Sequence, residues 1–209
     1  MPADTFADEL KHIMDQTQHN NQQVATAICQ NFKQILQENL VLADQIDYSG
    51  FSELINAIRQ AKAIFLIASG RSGYSMRAAA MRLMHLGLNV YFAGDTTTPA
   101  IGPNDLLLAA SGSGTTSTVV KAAEKAKHAG ARIISITTNA SSSLAGISDI
   151  HLLIPAAEKE DHGGTKSKQY AGSLFEQSLL LISDAVFMEL WKLDGTPAEV
   201  LWKRHANME

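Results

Sequence analysis

The stretch LLLAASGSGTTSTVVKAAEKA, residues 106–126, joins an apolar run to a Gly/Ser/Thr cluster and then to a helical pattern. The apolar run lacks polar alternation, which is typical of a strand buried on both faces of a sheet. Gly112 and Gly114 allow main-chain N–H groups to turn inward, and Thr115 or Thr116 can begin the following helix. The stretch therefore predicts a strand, a tight turn and a helix whose first N–H groups can bind an anion.

The same alternation extends over most of the chain. Five short apolar runs are separated by segments with helical spacing, and two of these segments end in glycine, a common helix stop. Repeated strand–helix units predict right-handed crossovers and a parallel sheet that is covered on both faces. We therefore predict an α/β fold, a three-layer α/β/α sandwich with a five-stranded parallel sheet. The five runs are AIFLIA (63–68), LNVYFA (88–93), DLLLAA (105–110), RIISIT (132–137) and IHLLIP (150–155).

The chain of 209 residues has the length of one domain, which buries roughly 70% of the surface that its unfolded chain exposes. We predict a single domain over residues 1–209. It has N-terminal helices over 1–62, an α/β core over 63–194 and a C-terminal helix over 195–209. The N-terminal part shows no strand pattern, and its apolar residues have spacings typical of two or three helices.

Composition excludes several classes of function. The net charge of -4 at pH 7 gives no indication of a nucleic-acid or membrane-surface partner. The single cysteine, Cys29, can form no internal disulfide, which fits a reducing compartment. The N-terminus has no secretory pattern, and the longest apolar run is interrupted by Asp184 and is too short to cross a bilayer. We expect a soluble cytoplasmic protein with no nucleic-acid and no membrane partner.

In doubly wound sheets, ligands bind at the carboxyl ends of the strands beside the switch point. This rule selects three loops, ASGRSG (68–73), ASGSGTT (110–116) and TTNASSS (137–143). The second loop lacks the Gly-Lys-Ser/Thr of a P-loop, and Ser117 stands where a dinucleotide fold has its third glycine. A tight turn without a ligand is the alternative for that loop by itself. Arg71 adds a cation in the first loop, so one phosphate on a polyol fits the two Ser/Gly loops best.

Several segments carry a family resemblance. The two Ser/Gly loops on a five-strand α/β pattern resemble the sugar isomerase (SIS) domain of phosphosugar isomerases and phosphosugar-binding proteins. Residues 70–101, 105–116 and 172–185 together resemble the 6-phospho-3-hexuloisomerase family, and MRLMHLG and SLFEQ are the most diagnostic parts. The resemblance covers nearly the whole chain from about residue 25, and the segment PAAEKEDHGGTKSKQYAG (155–172) departs from the family's pattern.

The resemblance implies a flavodoxin-like SIS fold and an isomerase that interconverts arabino-3-hexulose 6-phosphate and fructose 6-phosphate. This reaction belongs to the ribulose monophosphate route of formaldehyde fixation. Such an isomerisation requires no metal or redox cofactor in principle, and His162 has no partner at metal-ligand spacing, so we expect no cofactor and no metal site. The resemblance further implies a phosphosugar as small-molecule partner and a homo-oligomer, which in this family is often a tetramer. The residues implied in substrate and phosphate binding are Ser69, Gly70, Arg71, Ser72, Ser111, Gly112, Ser113, Gly114, Thr115, Thr116 and Lys168.

Moving a carbonyl group from C3 to C2 requires a base that takes the C2 proton and returns it to C3 through a cis-enediol. The resemblance implies that Glu176 is this base, and a buried carboxylate suits base catalysis near neutral pH. The residues by themselves leave another interpretation open. Ser173 and Glu176 have capping-box spacing, in which Glu176 would only close the start of its helix.

A second catalytic candidate, His85, ends the helical segment that follows the first loop. One stripe of this segment contains Tyr74, Met81 and His85, and another contains Met76 and Leu83. A helix that is apolar on two faces contacts the sheet and a further surface, most simply another subunit. The resemblance implies that His85 acts from a neighbouring chain in ring opening or proton transfer. The alternative is a histidine whose imidazolium is favourable in the last turn of a helix.

Two other functions stay open at this point. One is an isomerase of another phosphosugar, such as arabinose 5-phosphate, although such enzymes commonly carry additional C-terminal domains. The other is a non-catalytic phosphosugar-binding protein, such as the effector domain of a transcription regulator. The N-terminal segment is not basic and shows no clear recognition helix, which argues against the regulator.

Overall fold

The structure is a computed structural model that describes residues 3–157, 166–170 and 172–208. The chain divides into two compact units, Met1–Leu40 and Val41–Glu209, each of which is described by itself. The first unit contains the larger part of a long helix, α1 (Ala3–Ala43). Its apolar residues from position 24 onward are more than half exposed at Val24, Ile28, Phe32, Leu36 and Leu40.

The second unit alternates strands with helices in the predicted order. α1 and α2 are the predicted N-terminal helices, and α7 lies within the predicted C-terminal segment. The elements of this unit are α2 (Phe51–Gln60), β1 (Ile64–Ile67), α3 (Gly70–His85), β2 (Val90–Phe92), β3 (Leu106–Ala110), α4 (Ser117–His128), β4 (Arg132–Thr137), α5 (Ser143–Ile147), β5 (Ile150–Leu153), α6 (Ser173–Asp194) and α7 (Ala198–Trp202).

The five strands form one parallel sheet in the order β2-β1-β3-β4-β5. Ile64 at the start of β1 is in register with Val90 on one side and Leu106 on the other. β1 and β3 are buried at every residue because helices cover both faces of the sheet. The prediction of a five-stranded parallel sheet is therefore confirmed.

Successive side chains of each strand enter two different cores, as the pleat requires. In β1, Ile64 and Leu66 pack in the core with α2, α3 and α6. Phe65 and Ile67 pack in the opposite core with α4 and α5. The sheet lies between these two helical layers, which confirms the predicted α/β/α sandwich.

The direction of chain progression reverses at β1. From β1 the chain passes through α3 to β2 on one side, whereas β3 pairs with β1 on the other side, with Ile67 opposite Ala109. The loops after β1 and β3 therefore start next to each other at the carboxyl edge of the sheet. This switch point is the place where such folds bind ligands.

No helix in the described part of the chain combines the length and the apolar character that crossing a membrane requires.

Candidate active site

A cavity of about 90 Å³ opens at this switch point, between the ends of β1 and β3 and the first turn of α6. Hydroxyl groups, glycines and one carboxylate dominate its lining. Eight of the lining residues are predicted ones: Ser69, Gly70, Ser72, Ser111, Gly112, Ser113, Thr116 and Glu176. Four others were not predicted: Ala110, Ala157, Gly172 and Phe175.

The loop after β3 is a tight turn whose hydroxyl groups bond mainly within the loop. Ser111 Oγ lies 2.9 Å from Thr116 Oγ1, and the Gly114 N–H donates to the Ser111 carbonyl at 3.0 Å. Thr115 Oγ1 donates to Ser113 Oγ at 3.0 Å. Thr116 is the N-cap of α4 but its side chain makes no capping bond. The N-terminus of α4 thus faces the cavity edge without a side-chain cap, as an anion site requires.

Close packing requires the glycine at position 114, and Gly112 packs next to Phe175. Gly114 has φ +64°, and a Cβ at this position would overlap Ser142 Oγ and lie 2.9 Å from Thr137 Oγ1. A Cβ on Gly112 would lie 3.4 Å from the ring of Phe175. The loop after β3 is therefore held between β4, the start of α5 and the first turn of α6.

The loop after β1 contributes Ser69, Gly70 and Ser72 to the cavity. Ser69 is the N-cap of α3 and its Oγ lies 2.9 Å from Thr118 Oγ1 of α4. Ser72 is buried in the first turn of α3. The two Ser/Gly loops are thus linked directly by a hydroxyl pair between the first turns of α3 and α4.

Arg71 reaches across from α3 to α6. Its Nη1 donates to Ser173 Oγ at 3.0 Å and lies 3.0 Å from Glu176 Oε2. The Arg71 side chain is 63% exposed, whereas that of Glu176 is only 8% exposed. The guanidinium is therefore a partly solvated counter-charge to a buried carboxylate.

The start of α6 excludes the capping-box interpretation of Glu176. Gly172, with φ +74°, is the N-cap residue, so Ser173 is already helical and the carboxyl group lies one position too late. The Glu176 N–H makes the first helical bond, to the Gly172 carbonyl at 3.2 Å. Arg71 Nη1 lies 3.0 Å from Glu176 Oε2 as a counter-charge, but its N–H groups are not aligned to donate to this oxygen, and none of the described residues donates a hydrogen bond to it. A buried oxygen without such a bond, in a polar cavity, is suited to accept a proton or bond from a ligand.

His85 ends α3, at the opposite end of this helix from the cavity. A rise of about 1.5 Å per residue separates it from Gly70 by roughly 22 Å. The ring is 3% exposed and stacks on that of His205 at 3.9 Å, while Arg204 Nη1 donates to the His85 carbonyl at 2.7 Å. His85 thus lies under the C-terminal segment, away from the cavity of its own chain.

The pKa of His85 argues against the alternative interpretation, in which His85 is a favourable imidazolium at a helix end. Burial lowers the pKa of His85, and the neighbouring charges of His205 and Arg82 lower it further. All three effects favour the neutral imidazole over the imidazolium.

Some predicted residues do not line the cavity. Gly114 and Thr115 support the turn after β3, and Arg71 lies beside Glu176. Lys168 is exposed in the short described segment 166–170. Of the unpredicted residues, Gly172 and Phe175 belong to the SLFEQ region and were detectable there, whereas Ala157 has no signal in the sequence.

Metal binding has no support from side-chain clustering. Among residues that the structure describes, no three His, Cys, Asp or Glu side chains are grouped so that they could hold a metal ion. The polar lining of the cavity instead consists of hydroxyls, main-chain groups and the Glu176 carboxylate.

The profile of the SIS domain family matches residues 57–181, which include both Ser/Gly loops and Glu176. The chain belongs to the SIS domain family. The cavity is therefore part of the SIS domain itself, and the predicted family membership is confirmed.

Two SIS relatives, both called 3-hexulose-6-phosphate isomerase, are similar over most of their length. That of Mycobacterium gastri is 53% identical over 186 residues, which cover 89% of this chain and 94% of the relative. That of Bacillus subtilis (strain 168) is 36% identical over 177 residues, which cover 84% and 96%. The crystal structure of a hypothetical Methanococcus jannaschii protein, for which a 3-hexulose-6-phosphate isomerase function was inferred, has a TM-score of 0.73 at 31% identity. The structural match covers 86% of this chain and 99% of that protein.

Proposed function

We propose that this SIS protein is a phosphosugar isomerase that interconverts arabino-3-hexulose 6-phosphate and fructose 6-phosphate. The observation that carries the proposal is the buried Glu176 carboxylate, which lines a cavity with the hydroxyl groups of both Ser/Gly loops. The relatives called 3-hexulose-6-phosphate isomerase support this choice among phosphosugars.

The reaction is a proton transfer between two carbons. Glu176 takes the proton from C2 of the 3-ketose, and the electron pair of the C–H bond forms the C2–C3 double bond of a cis-enediol. The proton then returns to C3, while a hydroxyl proton moves between O2 and O3, and the carbonyl group is left at C2. The net reaction moves a carbonyl group and neither oxidises nor hydrolyses the sugar.

The two Ser/Gly loops supply the phosphate site in this proposal. Hydroxyls and helix N-termini hold a phosphate by hydrogen bonds and by the positive end of the helix dipole. Arg71 and Lys168 contribute positive charge at the rim. The proposed binding residues are Ser69, Gly70, Arg71, Ser72, Ser111, Gly112, Ser113, Gly114, Thr115, Thr116 and Lys168.

We also propose that the protein assembles as a homotetramer. In this assembly His85 acts in the site of a neighbouring subunit. The support is the outer stripe of α3, where Tyr74 is 76% and Met81 is 52% exposed. Because His85 is remote from its own cavity, only another chain's cavity offers it a substrate. This role requires that Arg204 and His205 be displaced from His85 in the assembly.

The proposed cellular setting is the cytoplasm and the ribulose monophosphate route of formaldehyde fixation. Cys29 is a free, exposed thiol, which fits a reducing compartment.

The direct test is conversion of arabino-3-hexulose 6-phosphate by the purified protein, with fructose 6-phosphate measured by a coupled assay. Turnover that Glu176→Gln abolishes supports the proposal. Tight phosphosugar binding with no conversion contradicts it and identifies a phosphosugar-binding protein instead.

The subunit arrangement has its own test. Light scattering gives the mass, and co-expression of the His85→Ala and Glu176→Gln chains tests whether one site uses two chains. Activity in mixed oligomers well above that of either variant supports the shared site. Mixed oligomers as inactive as both parents place His85 outside it.

A further inference from the structure

The ion pair between Arg71 and Glu176 presents a conflict with the role of Glu176 as a base. A buried carboxylate is costly without a counter-charge, and Arg71 supplies one at 3.0 Å from Oε2. The same pairing places a cation against the oxygen that must take the C2 proton. In this arrangement Arg71 occupies the position next to Oε2 from which a substrate C–H group would have to approach.

Arg71 is the partner that is able to move. Its side chain is 63% exposed, while the Glu176 side chain is 8% exposed and is fixed in the first turn of α6. The main chain of Arg71 lies between Gly70 and Ser72, both of which line the cavity. A guanidinium binds a phosphate dianion with two parallel hydrogen bonds and prefers it to a single contact with a carboxylate oxygen.

We propose that Arg71 is a substrate-released counter-ion: it pairs with Glu176 as the structure shows and moves to the phosphate when substrate binds. Its departure exposes Glu176 Oε2, the oxygen that Arg71 contacts at 3.0 Å, to the C2 hydrogen of the bound sugar. Binding of the phosphate thus activates the base. The proposal rests on the proposed isomerase function only for its catalytic consequence.

The proposed exchange couples the affinity for phosphate to the charge at position 176, and this coupling can be measured without turnover. If phosphate must draw Arg71 away from Glu176, then neutralising Glu176 releases Arg71 and tightens phosphate binding. The first experiment measures the affinity for inorganic phosphate by calorimetry in the wild type, Glu176→Gln, Arg71→Met and the double variant. We expect Glu176→Gln to tighten phosphate binding by about 5-fold or more, and we expect most of this gain to disappear in the Arg71→Met background.

Simple charge repulsion between Glu176 and phosphate predicts the opposite pattern for the double variant. Repulsion persists without Arg71, so the gain from Glu176→Gln would be equal or larger in the Arg71→Met background. That result overturns the proposal. This binding experiment is independent of whether the protein is an isomerase, so failure of the proposed function and failure of the exchange are distinguishable.

The second experiment uses arabino-3-hexulose without its phosphate. This sugar cannot draw Arg71 away, so Arg71→Met should raise its turnover about 5-fold or more while lowering kcat/KM for the phosphorylated sugar. Inorganic phosphite added in trans should accelerate the wild type but not Arg71→Met. A parallel loss with both sugars, or an unchanged rate for the unphosphorylated one, overturns the exchange.

Two further variants act as controls for folding and charge. Arg71→Lys keeps the positive charge and should keep turnover of the unphosphorylated sugar low. Arg77→Met removes an arginine from the same helix, where it pairs with Asp95 outside the cavity, and should leave the ratio of the two turnover rates unchanged. If Arg77→Met raises turnover of the unphosphorylated sugar as much as Arg71→Met does, the assignment to Arg71 is overturned.

Discussion

Ser75 Oγ donates a hydrogen bond of 3.0 Å to the main-chain carbonyl oxygen of Glu176. Both residues are buried, and they lie near the starts of two helices that are remote in sequence, Ser75 in the second turn of α3 and Glu176 in the first turn of α6. Arg71 and Ser72 lie one turn before Ser75 on α3. The hydrogen bond therefore joins the helix that carries part of the proposed phosphate site to the helix that carries the proposed base.

Ser75→Ala should lower the free energy of unfolding by about 0.5–1.5 kcal/mol, because a buried hydrogen bond is lost. It should also lower kcat more than it raises KM, because the position of Glu176 relative to the substrate is relaxed. Urea unfolding and steady-state kinetics measure the two effects. Ser183→Ala is the matched control, since Ser183 Oγ donates to the Leu179 carbonyl within the same helix, α6. A stability loss with unchanged kcat would limit Ser75 to a structural role.

Glu176→Gln should lower kcat by about 10²–10⁴-fold, the usual contribution of a general base. Glutamine has the same size but cannot take a proton, so the fold should survive. The diagnostic measurement is exchange of the C2 hydrogen with solvent deuterium, which should stop together with turnover. Exchange at the wild-type rate in Glu176→Gln would assign the base to another group.

Gly114→Ala should destabilise the protein by about 1–3 kcal/mol or more, because its Cβ would overlap Ser142 Oγ and Gly114 has positive φ. Gly195→Ala is a close control. Gly195 has φ +71° but no atom within 4 Å of an added Cβ, so this variant measures the strain of the backbone alone. Thermal unfolding of both variants separates the two costs. Equal losses would show that the contact with Ser142 is not the reason for the glycine.

The free energy of unfolding should fall as the pH drops below about 6.5, the ordinary pKa of histidine. The pKa of His85 is lowered in the folded protein, chiefly by burial. In this range the unfolded chain binds more protons than the folded chain, so acid favours unfolding. Urea unfolding at pH 8 and pH 5.5 should show a smaller loss for His85→Gln than for the wild type. His128→Gln, at an exposed position, should keep the full loss, and an equal reduction in both variants would contradict the assignment.

Much of the fold followed from local patterns. The apolar runs marked all five strands because a strand buried on both faces has no polar alternation, as in Leu106–Ala110. The Ser/Gly loops after β1 and β3 were recognisable because glycine and hydroxyl residues mark helix starts in any context. The resemblance added Glu176, and the structure places it in the same cavity as those loops.

Other features could not be read from local patterns. The spacing of Ser173 and Glu176 indicates a capping box, but Gly172 in the left-handed region starts α6 one residue earlier than that motif requires. His85 has the position of a favourable imidazolium, but the C-terminal segment covers it and reverses the effect. In both cases residues outside the motif decided the outcome.

The sequence by itself determined where the strands and helices lie and which loops meet at the switch point, because periodicity and turn chemistry are properties of neighbouring residues. Only the tertiary structure decided that Arg71 faces Glu176 and that Ser75 holds its main chain. These contacts join residues about a hundred positions apart. They exist because α3 and α6 pack together on one face of the sheet. This packing buries the Glu176 carboxylate, so its ion pair with Arg71 matters for the proposed chemistry.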